Sequence, residues 1–159
     1  MGVEFAKYVA AVVQAAPVFL NRKATTEKAC RLIRQAGKNG AKLVALPEAW
    51  IPTFPHWPRA LPKGERDLSQ EAWIKLYQES VEIPGPETRA LGEAAKEAGC
   101  CVVIGVNERS REPGATLYNT LLFISDEGNI LGKKRKLLPT YEERCCWGAG
   151  DAADLVVVE

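Results

Sequence analysis

The sequence predicts an α/β fold in which helices are layered on a sheet. Short apolar runs suit buried strands, two helical stretches lie between pairs of such runs, and glycine or proline marks the junctions. With 159 residues, 47% hydrophobic and 26% charged, the chain suits one ordinary domain, residues 1–159 with the fold starting near residue 8.

The elements follow in order. Residues 8–15, YVAAVVQA, read as a first buried strand. Residues 25–38 set Ala29, Leu32, Ile33 and Ala36 on one helical face, with Thr25 placed to cap the helix and Glu27 in its first turn. Gly40 closes that connection, and KLVAL at 42–46 is a short buried strand. Residues 49–69 form a long loop with four prolines and the aromatics Trp50, Phe54 and Trp57. Loops of that length are usually functional, although aromatics packing on the core is the plainer interpretation. A second helix at 86–98 begins with Pro86, stops before Gly99, and aligns Leu91, Ala94, Ala95 and Ala98. Strands follow at 100–106, 118–125 and 130–135, the first pair joined by a loop with Pro113 and Gly114, the second by the turn DEGN. DLVVVE, residues 154–159, reads as a last strand.

Composition excludes several classes. A net charge of +1 offers no global field for nucleic acid. The N-terminal apolar run is broken at Gln14 and Pro17, far short of the ~20 residues that span a bilayer, and no other stretch is long enough. Glu4 suits no signal peptide, and Gly2 lacks the serine or threonine that myristoylation favours. The five cysteines have no metal-ligand spacing, and His56 is the only histidine, which argues against a zinc site and against a Cys-His or Ser-His pair. Reduced thiols in a cytoplasmic protein fit this usage.

The chemistry concentrates in two places. Glu48, in LVALPEAWIP, follows directly on a strand, at the rim where α/β sheets keep ligands. Partial burial there would raise its pKa toward a general base. In GKKRKLLPTYEER, alternation sends Lys134 and Lys136 to one face and Lys133 and Arg135 to the other. An inward lysine needs a carboxylate nearby to stay charged.

LPEAWIP, YNTLLFISDEGNILGKKRKLLPT and TYEERCCWGAGD, with the opening YVAAVVQAAPVFLN and its helix, resemble the nitrilase branch of the carbon–nitrogen hydrolase superfamily. The three blocks stand in the family's order and spacing across essentially the whole chain. The resemblance implies an α-β-β-α sandwich that hydrolyses nitriles to acid and ammonia without cofactor, using a Glu-Lys-Cys set. Carried over, Glu48 is the general base, Lys136 the lysine of the R-K-x-x-P-T block, and Glu143 the supporting acid of T-x-x-E-R. Trp50, Phe54 and Trp57 would line the substrate entrance, with an apolar or aromatic nitrile as the small-molecule partner. Amidase, carbamoylase and cyanide-degrading chemistry are the alternatives within the superfamily, and a non-catalytic half-sandwich is the alternative outside enzymes. Homo-oligomers are expected by resemblance, with no metal, nucleic acid or membrane.

Cys145 and Cys146 occupy the two positions between E-R and W-G-x-G-D, so on the family's pattern neither is the nucleophile. That residue is expected in a C-W-E block just past DLVVVE, where the sequence stops. The expectation is therefore the N-terminal part of the sandwich, inactive alone, from a truncated gene rather than a cloning boundary or a true short pseudoenzyme.

Overall fold

The structure, a computed structural model, describes residues 7–62, 64–112 and 114–158; Gly2, Glu4 and Pro113 lie outside them. Strands β1 (Val9–Val12), β2 (Ala41–Ala45), β3 (Cys101–Arg109), β4 (Leu117–Ile124) and β5 (Ile130–Arg135) form one sheet in chain order. The first three are parallel, joined through helices; the last three run antiparallel through short connections. Helix α1 (Arg22–Lys38) fills the first crossover; α2 (Trp57–Ala60), α3 (Arg66–Gln78) and α4 (Pro86–Ala98) fill the second.

Helices α1 and α4 bury their apolar stripes against one face of the sheet. Ala29 and Ile33 of α1 and Leu91, Ala94 and Ala95 of α4 meet Val44, Val102, Ile104, Val106, Leu122 and Ile124. The 3.6-residue period on the helices and the two-residue period on the strands make this packing possible. The opposite face carries Leu43, Val103, Phe123 and Leu131 around a depression of about 430 Å³, into which Val158 reaches. No helix covers that face among the described residues.

Several expectations need correction. Helix α1 starts three residues before Thr25: Asn21 caps it, accepting from the Ala24 amide at 2.9 Å. Thr25 instead exchanges hydrogen bonds with the Val18 backbone, and Glu27 falls beyond the first turn. Strand β1 is shorter than 8–15 and is an exposed edge, with Val9 at 55% and Val12 at 83% exposure. The loop expected over 49–69 gives way to α2 and then α3 from Arg66. Leu68, Ala72, Leu76 and Trp73, Tyr77 recur at helical spacing, a signal overshadowed by the four prolines before it.

Residues 154–158 of DLVVVE form no strand, and Glu159 lies outside the described residues. A 3-10 turn spans Ala152–Asp154, and residues 155–158 carry no strand pairing. Val156 and Val158 instead lie against Gly132 of β5, at 3.2 and 3.6 Å from where its Cβ would stand. Val156 stays exposed there and Val158 is half-buried.

An apolar sheet face without a helical layer and an exposed edge strand favour self-association. The isolated chain should sediment as oligomers and bind a hydrophobic dye. A clean monomer with no dye fluorescence would contradict this.

Candidate active site

Glu48 sits just past the carboxyl end of β2, and backbone packing places it. Gly105 on β3 lies beneath the Pro47–Ala49 segment; a Cβ there would stand 2.4 Å from the Ala49 nitrogen and 2.6 Å from the Glu48 Cα. The Gly105 amide donates to the Pro47 carbonyl at 3.2 Å, and its carbonyl accepts from Trp50 at 2.8 Å. Ala49 turns the chain with φ of 46°, a left-handed conformation that costs a non-glycine residue roughly 1–2 kcal/mol. Asn107, two residues along β3, offsets that strain. Its buried amide donates to the carbonyls of Ala49, Ile51 and Thr53 at 3.3, 3.1 and 2.9 Å, and its oxygen accepts from the Trp147 indole at 2.8 Å.

Lys136 follows β5. Its amide donates to the Asn119 carbonyl at 2.8 Å, and its own carbonyl accepts from Gly150 at 2.9 Å. Gly150 must be glycine, because a Cβ would stand 2.8 Å from the Arg135 carbonyl oxygen. The Lys136 ammonium bridges two carboxylates, Glu48 at 3.0 Å and Glu143 at 2.9 Å. Burial works against its charge, but hydrogen bonds to Glu143 and Glu48 outweigh that and raise its pKa. Glu143 is the reciprocal case. Burial opposes its charge, while the Thr140 backbone and Lys136 hold its carboxyl below the usual range.

The local sequence fixes Glu143. Thr140 and Glu143 form a capping box on the 3-10 turn Tyr141–Cys145. One oxygen of Glu143 accepts from the Thr140 amide at 2.7 Å, which leaves the other for Lys136. The pattern T-x-x-E is thus a turn signal as well as a chemical one.

Sequence reasoning missed Asn119, whose amide donates to Glu48 at 2.7 Å. It also missed Gly105 and Asn107, whose roles depend on which residues oppose them across strands. Glu48 is 53% exposed, so the partial burial expected for it is not found. A cavity of about 290 Å³ beside it is lined by Glu48, Gly105, Asn119, Thr120, Leu121, Lys134 and Lys136.

The aromatics expected at the entrance are not among those linings. Trp50 is 2% exposed, within the main core, and its indole donates to the Ala15 carbonyl at 2.7 Å. Trp57 is buried in a second cluster with Leu76, Cys146 and Trp147, and Phe54 packs edge-on against Trp147 at 5.3 Å. Packing claims all three. No cysteine lines the cavity either. Cys146 is buried beside Trp147, and burial pushes its thiol up to about 12; Cys145 is exposed.

The alternation along KKRK holds. Lys133 and Arg135 turn to the other face and meet Glu108, which is 2% exposed and also accepts from Thr120 at 2.7 Å. Burial disfavours its charge, yet hydrogen bonds from Arg135, Lys133 and Thr120 keep its carboxyl below the ordinary range.

The chain belongs to the carbon-nitrogen hydrolase family, whose pattern matches residues 9–159. It is 48% identical over 158 residues to "Nitrilase 2" of an unknown prokaryotic organism, covering 98% of this chain and 49% of that protein. Identity is 39% over 156 residues to a nitrilase of a Bacillus species (98% and 44% covered) and 39% over 152 to "Nitrilase 2" of Arabidopsis thaliana (94% and 44%). The chain thus spans about half the length of these curated relatives. In fold it resembles a carbon-nitrogen hydrolase from Helicobacter pylori, with a TM-score of 0.67 at 22% identity over 90% of this chain and 44% of that one. An amidase from Nesterenkonia sp. AN1 gives 0.60 at 16%, over 95% and 52%.

Two outcomes follow from this geometry. Gly105→Ala should destabilise the chain by about 2 kcal/mol or more in urea unfolding, since backbone must move to admit the methyl; an unchanged midpoint would contradict the close approach. For Glu108 the folded pKa is depressed, so its stabilisation is present above the unfolded value of about 4.3 and lost as pH falls through the folded value. Unfolding midpoints between pH 6 and 3 should therefore fall more steeply for the parent than for Glu108→Gln. Equal slopes would remove Glu108 from the acid response.

Proposed function

We propose that the chain carries the Glu-Lys portion of a nitrile-hydrolysing site. The observation behind this is the Lys136 ammonium bridging Glu48 and Glu143 beside an open cavity, in a chain 48% identical to a protein named as a nitrilase. The thiol of the reaction comes from outside these residues. Cys146 is buried, with a pKa near 12 that leaves almost no thiolate at neutral pH, and the cavity has no cysteine of its own.

The chemistry assigns each group one task. Glu48 takes the proton of the incoming thiol, and the thiolate adds to the nitrile carbon to give a thioimidate. Negative charge develops on the nitrile nitrogen, where the Lys136 ammonium is already fixed and stabilises it without reorganisation. Water activated by Glu48 then adds, ammonia leaves, and a second water releases the carboxylic acid and restores the thiol. Glu143 shares Lys136 with Glu48 and positions the ammonium. Asn119 orients the Glu48 carboxylate. This site would work in a cytoplasmic homo-oligomer.

The chain by itself should release no ammonia from aliphatic or aromatic nitriles. In a protein completed with the thiol-bearing part, Glu48→Gln and Lys136→Ala should each abolish turnover while the fold survives. Cys146→Ala should cost only packing, ~1 kcal/mol of stability. Turnover by the 159-residue chain that vanishes in Cys146→Ala would overturn the assignment.

A further inference from the structure

The cavity beside Glu48 contains two lysines in different electrostatic situations. Lys136 is engaged by both Glu48 and Glu143. Lys134 lines the same cavity, yet among the described residues it makes no salt bridge and no side-chain hydrogen bond. Its neighbours in the KKRK run differ from it: Lys133 and Arg135 are held by Glu108 on the other face. Three of the four cations in the run are matched to a carboxylate, and the fourth is left facing the cavity.

Register explains the placement. Gly105 pairs with Leu121, and Leu121 with Lys134, so these three form one cross-strand row. Asn107 pairs with Asn119, whose carbonyl accepts the Lys136 amide, which makes the next row. Lys134 on β5 and Lys136 just past its end therefore stand two residues apart on one face, roughly 6.6 Å along the chain. Leu121 and Gly105 supply a short apolar floor between Lys134 and the Glu48 end.

We propose that Lys134 is a specificity residue that binds an anionic group at the far end of the substrate, making a short aliphatic ω-cyano carboxylate the preferred class. This rests on the nitrile-hydrolase assignment. With the nitrile carbon beside Glu48 and Lys136, a carboxylate three methylenes away spans a distance of the same order as the roughly 6.6 Å between the two lysine positions. The same cation offsets the repulsion that an anionic substrate meets from Glu48 and Glu143. Without Lys134, the two carboxylates outnumber the single remaining ammonium.

The test is binding to the 159-residue chain, read by titration calorimetry or ligand-observed NMR. The probes are ω-cyanobutanoate, neutral pentanenitrile, and pentanoate, which keeps the carboxylate and lacks the nitrile. Lys134 is exposed, so Lys134→Gln and Lys134→Arg should fold as the parent does, which circular dichroism verifies. The expected result is ω-cyanobutanoate bound more tightly than pentanenitrile, weakened about fivefold by Lys134→Gln and retained by Lys134→Arg, with less effect at high salt. Equal binding of the charged and neutral nitriles, insensitive to Lys134→Gln, overturns the inference and leaves the nitrile assignment standing. Equal binding of pentanoate and ω-cyanobutanoate, both sensitive to Lys134→Gln, supports the anion role and counts against the nitrile assignment. Binding of neither acid overturns the inference.

Discussion

The site depends on one close backbone contact, that of Gly105 with the Pro47–Ala49 segment. A side chain on Gly105 would occupy the space of the Glu48 backbone itself. Because the segment can lie flat on β3, it exchanges hydrogen bonds with Gly105 on both sides and turns sharply at Ala49. The Glu48 carboxylate meets Lys136, just past the end of β5. Asn107 then holds the next five residues by three carbonyls and the Trp147 indole by its oxygen. Two positions on one strand thereby tie the segment that carries Glu48 to the turn that follows Lys136.

Electrostatics divides KKRK into two tasks. On the helix side, Lys133 and Arg135 pair with Glu108, a buried carboxylate whose charge burial disfavours and these cations favour. On the other side, Lys136 is held charged by two carboxylates, one of them pinned by its own capping box. The two-residue period of β5 separates the Glu108 ion cluster from the one around Lys136. Glycines at 148 and 150 let the following turn press against β4 and β5, so the lysine is braced from both ends.

The legible parts of the sequence were those encoded locally. Glu48, Lys136 and Glu143 stand in short motifs, and the structure sets the Lys136 ammonium within hydrogen-bond distance of both carboxylates. Helix α4 and strands β3 to β5 likewise follow from period and punctuation. Asn119, Gly105 and Asn107 were not legible, because their partners lie far along the chain and depend on strand register. Trp50 and Trp57 misled for the opposite reason. Aromatics beside a carboxylate suggest a pocket, but the neighbouring core takes up the large apolar area first. The α1 cap was misplaced since Asn21 and Thr25 both suit the role, and only the path of Val18 decides between them.

The sheet's mixed topology bears on how the chain reaches this arrangement. Strands β3, β4 and β5 form a meander whose connections are short, so Asn119 and Lys136 are brought together at little loop-closure entropy. Strand β2 joins β3 only across the long excursion that contains α2, α3 and α4. Low contact order favours the meander as the early template, and docking of the parallel half onto it as the slower, nonlocal event. On that route Lys136 is in place before Glu48, and the pair closes only when the two halves of the sheet have met.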